Sequence, residues 1–114
     1  MIRTVLKSKI SYARVTDSNL FYDGSFGIDA DIMKQANIEE NEQIHIVNLN
    51  NGERLVTYAI AAPAGSGHFI LNGPAARKGE VGDEVFIISY AQIHDNETLE
   101  PVVINVGKND KKSS

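Results

Sequence analysis

Gly24 and Ser25 form the bond in this chain with the most distinctive chemistry. Glycine leaves its carbonyl carbon sterically open and tolerates strained backbone angles, while serine sets a hydroxyl within reach of attack on that carbonyl. The pair sits in Tyr22-Asp23-Gly24-Ser25-Phe26-Gly27-Ile28-Asp29, which reads as a short turn between an apolar run and a helix start. Alone, Gly-Ser is an ordinary turn pair, so any chemistry has to come from what the rest of the chain brings to it. Other reactive groups are few. There is no cysteine, which excludes disulfides, thiolate metal sites and thiol nucleophiles. The three histidines, His45, His68 and His94, stand in no metal-ligand spacing, and no metal site is expected.

The bounds are those of one small globular domain. A length of 114 residues allows a single modest core, and 42% hydrophobic with 23% charged residues is ordinary for a globular protein. A net charge of −4 argues against nucleic acid, whose binders concentrate Lys and Arg to displace counterions from phosphates. The apolar runs are too short for a membrane span, and Met1-Ile2-Arg3 leads straight into folded-looking sequence, so no membrane association and a cytoplasmic location are expected. One domain is expected over residues 1–106. The polar tail, 107–114, holds Lys108, Lys111 and Lys112, lacks apolar periodicity and reads as disordered.

The elements that must position Gly24 and Ser25 read mainly as strands. Met1 to Ile10 and Tyr12 to Thr16 alternate apolar with polar, with Lys7 and Lys9 on one face. Asp17-Ser18-Asn19 reads as a turn and Leu20-Phe21-Tyr22 as a short strand. Asp29 reads as an N-cap for a helix over residues 30–36, and Glu39 to Glu42 as a solvated acidic connector. Gln43 to Leu49 and Arg54 to Ala61 flank Asn50-Asn51-Gly52-Glu53, a hairpin signal in which Asn-Gly supplies two positive-φ residues. Pro63 to Gly67 is a loop and His68 to Leu71 a strand. Asn72-Gly73-Pro74-Ala75-Ala76-Arg77 predicts a helical turn with proline at its first position and unpaired backbone N–H groups at its start. Val81 to Glu84 is a turn. Val85 to Ala91 is an apolar strand expected to be buried on both faces, and Val102 to Val106 is the last strand. About six or seven short strands with two short helices, and no alternating crossover helices, imply a mainly β barrel.

In order along the chain, Lys9, Tyr22-x-Gly24-Ser25-x-x-Ile28-Asp29, Asn51-Gly52-x-Arg54-x-x-Thr57-Tyr58, Asn72-Gly73-x-Ala75-Ala76 and Val81-Gly82-Asp83 together resemble the pyruvoyl-dependent L-aspartate 1-decarboxylase family. The likeness runs from Met1 to about Tyr90. It implies a six-stranded double-psi β-barrel, assembled as a homotetramer. It also implies conversion of L-aspartate to β-alanine and carbon dioxide for pantothenate, and hence coenzyme A, biosynthesis.

The resemblance further implies a proenzyme that cuts itself between Gly24 and Ser25. The Ser25 hydroxyl attacks the Gly24 carbonyl, the acyl group shifts from nitrogen to oxygen, and β-elimination of the ester followed by hydrolysis leaves a pyruvoyl group at position 25. The products are a short chain ending at Gly24 and a long chain carrying the cofactor, whose ketone forms a Schiff base with the substrate amine. By the same resemblance, Thr57 polarises the Gly24 carbonyl during cleavage and belongs to the substrate pocket. Lys9 and Arg54 bind substrate carboxylates, and Tyr58 donates the proton after decarboxylation. Asn72 with Gly73, Pro74 and Ala75 lines the pocket.

Three positions depart from the family pattern. Ser11 stands where many members have histidine, Pro74 replaces the usual alanine and removes a backbone N–H, and Phe26 is bulkier than the residues often found there. Two other functions are carried as alternatives: a pyruvoyl decarboxylase for another amino acid, and a non-catalytic binding or regulatory barrel in which Gly24-Ser25 is simply a turn. Whether cleavage is spontaneous or needs a maturation partner is not written in the sequence.

Overall fold

The computed structural model describes residues 1–20 and 24–107. Among the described residues, eight strands, one α-helix and one 3-10 helix follow in the order β1 (Ile2–Arg14), β2 (Asp17–Asn19), β3 (Ser25–Asp29), α1 (Ala30–Gln35), β4 (Gln43–Asn48), β5 (Arg54–Ala62), β6 (Phe69–Asn72), the 3-10 helix (Gly73–Lys78), β7 (Glu84–His94) and β8 (Val102–Asn105). The strands form one sheet in the order β2-β6-β3-β5-β4-β7-β1-β8. Its two flanks are joined by the chain itself, because β1 runs through Val15 and Thr16 directly into β2. The N–H of Val15 donates to the Asp83 carbonyl at 2.9 Å and that of Thr16 to the Phe69 carbonyl at 2.8 Å, stitching this junction to both sides. Counting β1 and β2 as one interrupted strand, the ring is β1/β2, β6, β3, β5, β4 and β7, six strands closed on themselves, with β8 added in parallel beside β1. Closure removes the open sheet edges that would otherwise pair with other chains.

Strand alternation fills the interior. Ile44 and Ile46 of β4 are buried while His45 and Val47 are half-buried, and Ile10, Phe26, Leu71 and Ile87 reach the same core from four other strands. Each such side chain contributes about 1.5 to 3 kcal/mol on leaving water. Gly27 permits the close approach of β3 to β6, since a Cβ there would lie 3.2 Å from the Cβ of Ile70.

Several local readings change. The first two predicted strands are one, β1, because register shifts at Leu6/Ser8 and Ile10/Ala13 let it continue through Tyr12, whose φ is +60°. Asp17–Asn19 is strand rather than turn, held by parallel pairing with β6. Of the predicted strand Leu20-Phe21-Tyr22, Leu20 lies outside any strand and Phe21 and Tyr22 fall outside the described residues. The β4/β5 hairpin is present, but Gly52 has positive φ (+78°) and Asn51 does not. The reason is a longer loop: the Asn48 side-chain carbonyl accepts the N–H groups of Asn50 and Asn51, and the N–H of Asn48 donates to Glu53. Glu42 is not part of a solvated turn, because it is half-buried and paired with Lys7 at 2.9 Å. β7 is buried on both faces only from Ile87 to Ser89, and Tyr90 is exposed.

The helix over residues 30–36 is present as α1, capped by Asp29. The predicted helical turn after Asn72 is the 3-10 helix, with Pro74 in its first turn. Gly107 is buried and donates its N–H to the Asn105 side chain at 2.9 Å. The remainder of the tail, 108–114, lies outside the described residues.

Candidate active site

Ser25 opens β3 and is fully buried. Its predicted placement in a turn is overturned by pairing, since Ser25 opposes Asn72 in the antiparallel β3/β6 register and Phe26 begins the parallel register with β5. The opposition puts chemistry on both strands. Asn72 is also buried, and its side-chain N–H donates to the Ser25 hydroxyl at 3.0 Å. A hydroxyl that accepts through one lone pair keeps its proton and its second lone pair for other work.

A cavity of about 250 Å³ adjoins this pair, lined by Gly24, Leu55, Val56, Thr57, Pro74, Ala75 and Lys78. Four sequence-predicted residues therefore line one cavity: Gly24 and Thr57 with Pro74 and Ala75. The 3-10 helix brings the last two. Asn72 is its N-cap, Gly73 takes the left-handed φ of +66° that lets the chain turn, and Pro74 approaches Gly24, to whose ideal Cβ position its Cδ lies 3.8 Å away. Asn72 makes no side-chain cap, which leaves its amide to Ser25.

Lys9, Arg54 and Tyr58 are not brought to this cavity in the single chain. Along β5, Leu55 and Thr57 are half-buried and Ala59 is buried, whereas Arg54, Val56 and Tyr58 are exposed. Alternation thus sends Thr57 to one side and Arg54 and Tyr58 to the other. Arg54 places a guanidinium Nη1 3.0 Å from His45 Nδ1 on neighbouring β4. Lys9 lies on β1 with its ammonium 4.2 Å above the centre of the Phe86 ring. Among the described residues neither Lys9 nor Arg54 has a carboxylate partner, whereas Arg3, Lys7, Arg14 and Lys78 are all ion-paired. Lys34 of α1 and Arg77 of the 3-10 helix lack one too, so of four uncompensated cations Lys9 and Arg54 are the two on barrel strands, where they suit an anionic ligand.

At the far end of β3 from Ser25, the buried Asp29 carboxylate fixes the loop after β5. It accepts from the N–H groups of Asp31 (2.8 Å), Gly65 (3.0 Å) and Gly67 (2.8 Å). Burial pushes its pKa up, but these backbone donors outweigh that and hold it below the usual carboxylate value.

Residues 1–113 match the model of the aspartate decarboxylase family. Aspartate 1-decarboxylases of Francisella tularensis subsp. holarctica (strain OSU18) and Coxiella burnetii (strain RSA 493 / Nine Mile phase I) are each 56% identical over 111 residues, spanning 96% of this chain and 100% of theirs. That of Kosmotoga olearia is 53% identical over 106 residues, spanning 93% of this chain and 92% of its own.

The chain belongs to the aspartate decarboxylase family.

A rationally designed double-psi β-barrel of known crystal structure superposes on this family member with a TM-score of 0.50 at 12% identity, covering 68% of this chain and 90% of its own. That likeness is one of fold, and with the six-strand ring described above it makes this aspartate decarboxylase family chain a double-psi β-barrel. Sequence reading missed His45 as a neighbour of Arg54. The signal was available in the hairpin, since Val47 opposes Arg54 and His45 opposes Val56, which makes His45 and Arg54 diagonal neighbours on one face.

Proposed function

We propose that this chain is a self-processing, pyruvoyl-dependent aspartate 1-decarboxylase that releases carbon dioxide from L-aspartate to give β-alanine, a supply for pantothenate and coenzyme A synthesis in the cytoplasm. The observation that carries the self-processing is the buried Ser25 hydroxyl, hydrogen-bonded by Asn72, beside a cavity that Gly24 and Thr57 both line. Its burial keeps bulk water from competing with the hydroxyl for the Gly24 carbonyl. Thr57, which lines the cavity together with Gly24, is assigned as the hydroxyl donor to the negative charge that develops on the Gly24 carbonyl. Attack by Ser25 Oγ breaks the Gly24–Ser25 C–N bond and forms an ester. Loss of the Ser25 α-proton then breaks the Cβ–O bond, releasing the Gly24 carboxylate, and water replaces the remaining nitrogen as ammonia.

The pyruvoyl group is built from Ser25 itself, and its surroundings fit it: a fully buried position with an amide donor and a cavity alongside. Its ketone supplies an electron sink for the electrons left when carbon dioxide departs. The protein's own part is to bind and orient. Arg54 offers a bidentate fork for one carboxylate and Lys9 a compact charge for another, and neither has a carboxylate partner among the described residues. Gly73 and Ala75 keep backbone N–H groups at the 3-10 helix start, where Pro74 has none. Tyr58, on the Arg54 side of β5, holds the proton delivered to carbon.

The outward aim of Arg54 and Tyr58 supports a site completed between subunits of a homotetramer, one chain supplying Ser25 and Thr57 and its neighbour the cations and the phenol. The exposed Val56, Tyr58, Tyr90 and Val103 give that face apolar surface to bury.

Intact mass of the purified chain, with no other protein added, tests the processing. Two fragments meeting at Gly24 and Ser25 are expected, the larger lacking a free amine and reacting with hydrazines. Ser25→Ala should stay whole and release no carbon dioxide from aspartate. A processed, active Ser25→Ala protein would sink the mechanism, and processing only after a cell extract is added would reveal a maturation partner.

A further inference from the structure

Three side chains from three neighbouring strands form a row on the exposed face: Tyr90 of β7, His45 of β4 and Arg54 of β5. The imidazole meets the Tyr90 ring edge-on, with centroids 5.0 Å apart and planes at 78°, and its Nδ1 lies 3.0 Å from Arg54 Nη1. A guanidinium can only donate, so Nδ1 is the acceptor and the ring proton sits on Nε2. We propose that His45 is a positioning residue that aims the Arg54 guanidinium at a substrate carboxylate, steadied in turn by Tyr90. This inference rests on the reading above that Arg54 binds that carboxylate.

Two physical points favour an imidazole here. A carboxylate partner would orient Arg54 equally well but would cancel its charge and compete with the substrate, whereas a neutral acceptor uses one N–H and leaves the charge intact. Arginine also carries large rotamer entropy, and ordering it before the substrate arrives removes part of that loss from binding. The contact is not shared with structural ion pairs, since among the described residues Arg54 bonds to no acid. The effect should therefore fall on substrate capture, leaving self-cleavage and the chemical step alone.

The test compares His45→Phe, which keeps a ring against Tyr90 but removes the acceptor, with His45→Asn, whose amide oxygen stands near the Nδ1 position. His45→Val serves as a second acceptor-free variant should phenylalanine disturb folding. Each is made as the self-processed enzyme, with the processed fraction measured by intact mass and used to correct kcat. The acceptor-free variants should raise KM for L-aspartate about threefold to tenfold with kcat little changed, while His45→Asn stays within about twofold of the parent. An unchanged KM in both acceptor-free variants overturns the inference. So does an equal rise in His45→Asn and His45→Phe, which would assign the effect to ring packing. Arg54→Gln separates the two layers: if it raises KM while the acceptor-free variants do not, only the role of His45 falls. If Arg54→Gln leaves KM untouched, the carboxylate assignment of Arg54 falls first.

Discussion

Asn72 and Ser25 face each other across the β3/β6 pair, both buried, with the asparagine amide donating to the serine hydroxyl at 3.0 Å. In Asn72→Ala the buried hydroxyl loses that partner, which should cost about 1 to 3 kcal/mol of stability. The larger effect should be on processing, because an unanchored hydroxyl samples rotamers that do not face the Gly24 carbonyl. Time-resolved intact mass of freshly made protein should show slowed appearance of the two fragments. Cleavage at the parental rate would remove Asn72 from the orienting role.

Asp29 predicts a pH dependence of stability. Its folded-state pKa lies below the ordinary value because three backbone N–H groups outweigh burial. The stabilisation is therefore fully present above the unfolded-state pKa and is lost as pH falls through the folded-state pKa. The half-buried Glu42, raised by burial but lowered further by Lys7 and by the N–H of Glu39, has the same sign. Asp29→Asn forces an amide N–H against a backbone N–H, at a cost of about 2 to 3 kcal/mol. Urea midpoints at fixed protein concentration should be lower in Asp29→Asn at neutral pH, and the gap to the parent should narrow on acidification. A gap independent of pH would assign the loss to packing.

Tyr58 is exposed to 38% on the side of β5 shared with Arg54. If its phenol delivers the proton to carbon, Tyr58→Phe should process normally and bind aspartate but lose kcat by about a hundredfold or more. Mass spectrometry and carbon dioxide release report the two stages separately. Full turnover by Tyr58→Phe would take the proton from another group.

Part of the candidate site's arrangement was legible because its residues are close in sequence or obey strand period. The parity of β5 separates Thr57 from Arg54 and Tyr58 without any structure, and Asp29 before α1 is a cap by residue type and position. What could not be read depends on distant partners. Ser25 looks like a turn residue until β5 and β6 flank it as a strand, and Asp17–Asn19 becomes strand only by lying beside Ile70–Asn72. Tyr12 at positive φ is imposed by β1 keeping pace with β7 on one side and β8 on the other. Asn51 looked like a turn residue with positive φ, but the buried Asn48 side chain, tied to Asp83 at 2.9 Å, sets the loop instead.

The same parity gives the last prediction. Thr57 lines a cavity with Gly24, while Arg54 and Tyr58 leave β5 on its exposed side, so the single chain does not gather all the proposed site residues. A barrel this small, its interior filled by side chains such as Phe26, Ile46 and Ile87, has no internal room for a substrate. On the roles proposed above, the complete site is expected where a second copy closes over the first. Mixing unfolded Ser25→Ala and Arg54→Gln chains and refolding them together tests this, since Ser25→Ala alone is expected to be inactive and Arg54→Gln alone nearly so at aspartate concentrations well below its raised KM. Where a Ser25→Ala subunit lends its Arg54 to the processed Ser25 of an Arg54→Gln subunit, an intact site results. Equal mixing should restore at most about a quarter of parental activity, by chance pairing of neighbours in a symmetric ring. Activity should appear in the tetramer fraction by light scattering. Hybrid tetramers with no more activity than their parents, or a fully active monomer at assay concentration, would place the whole site within one chain.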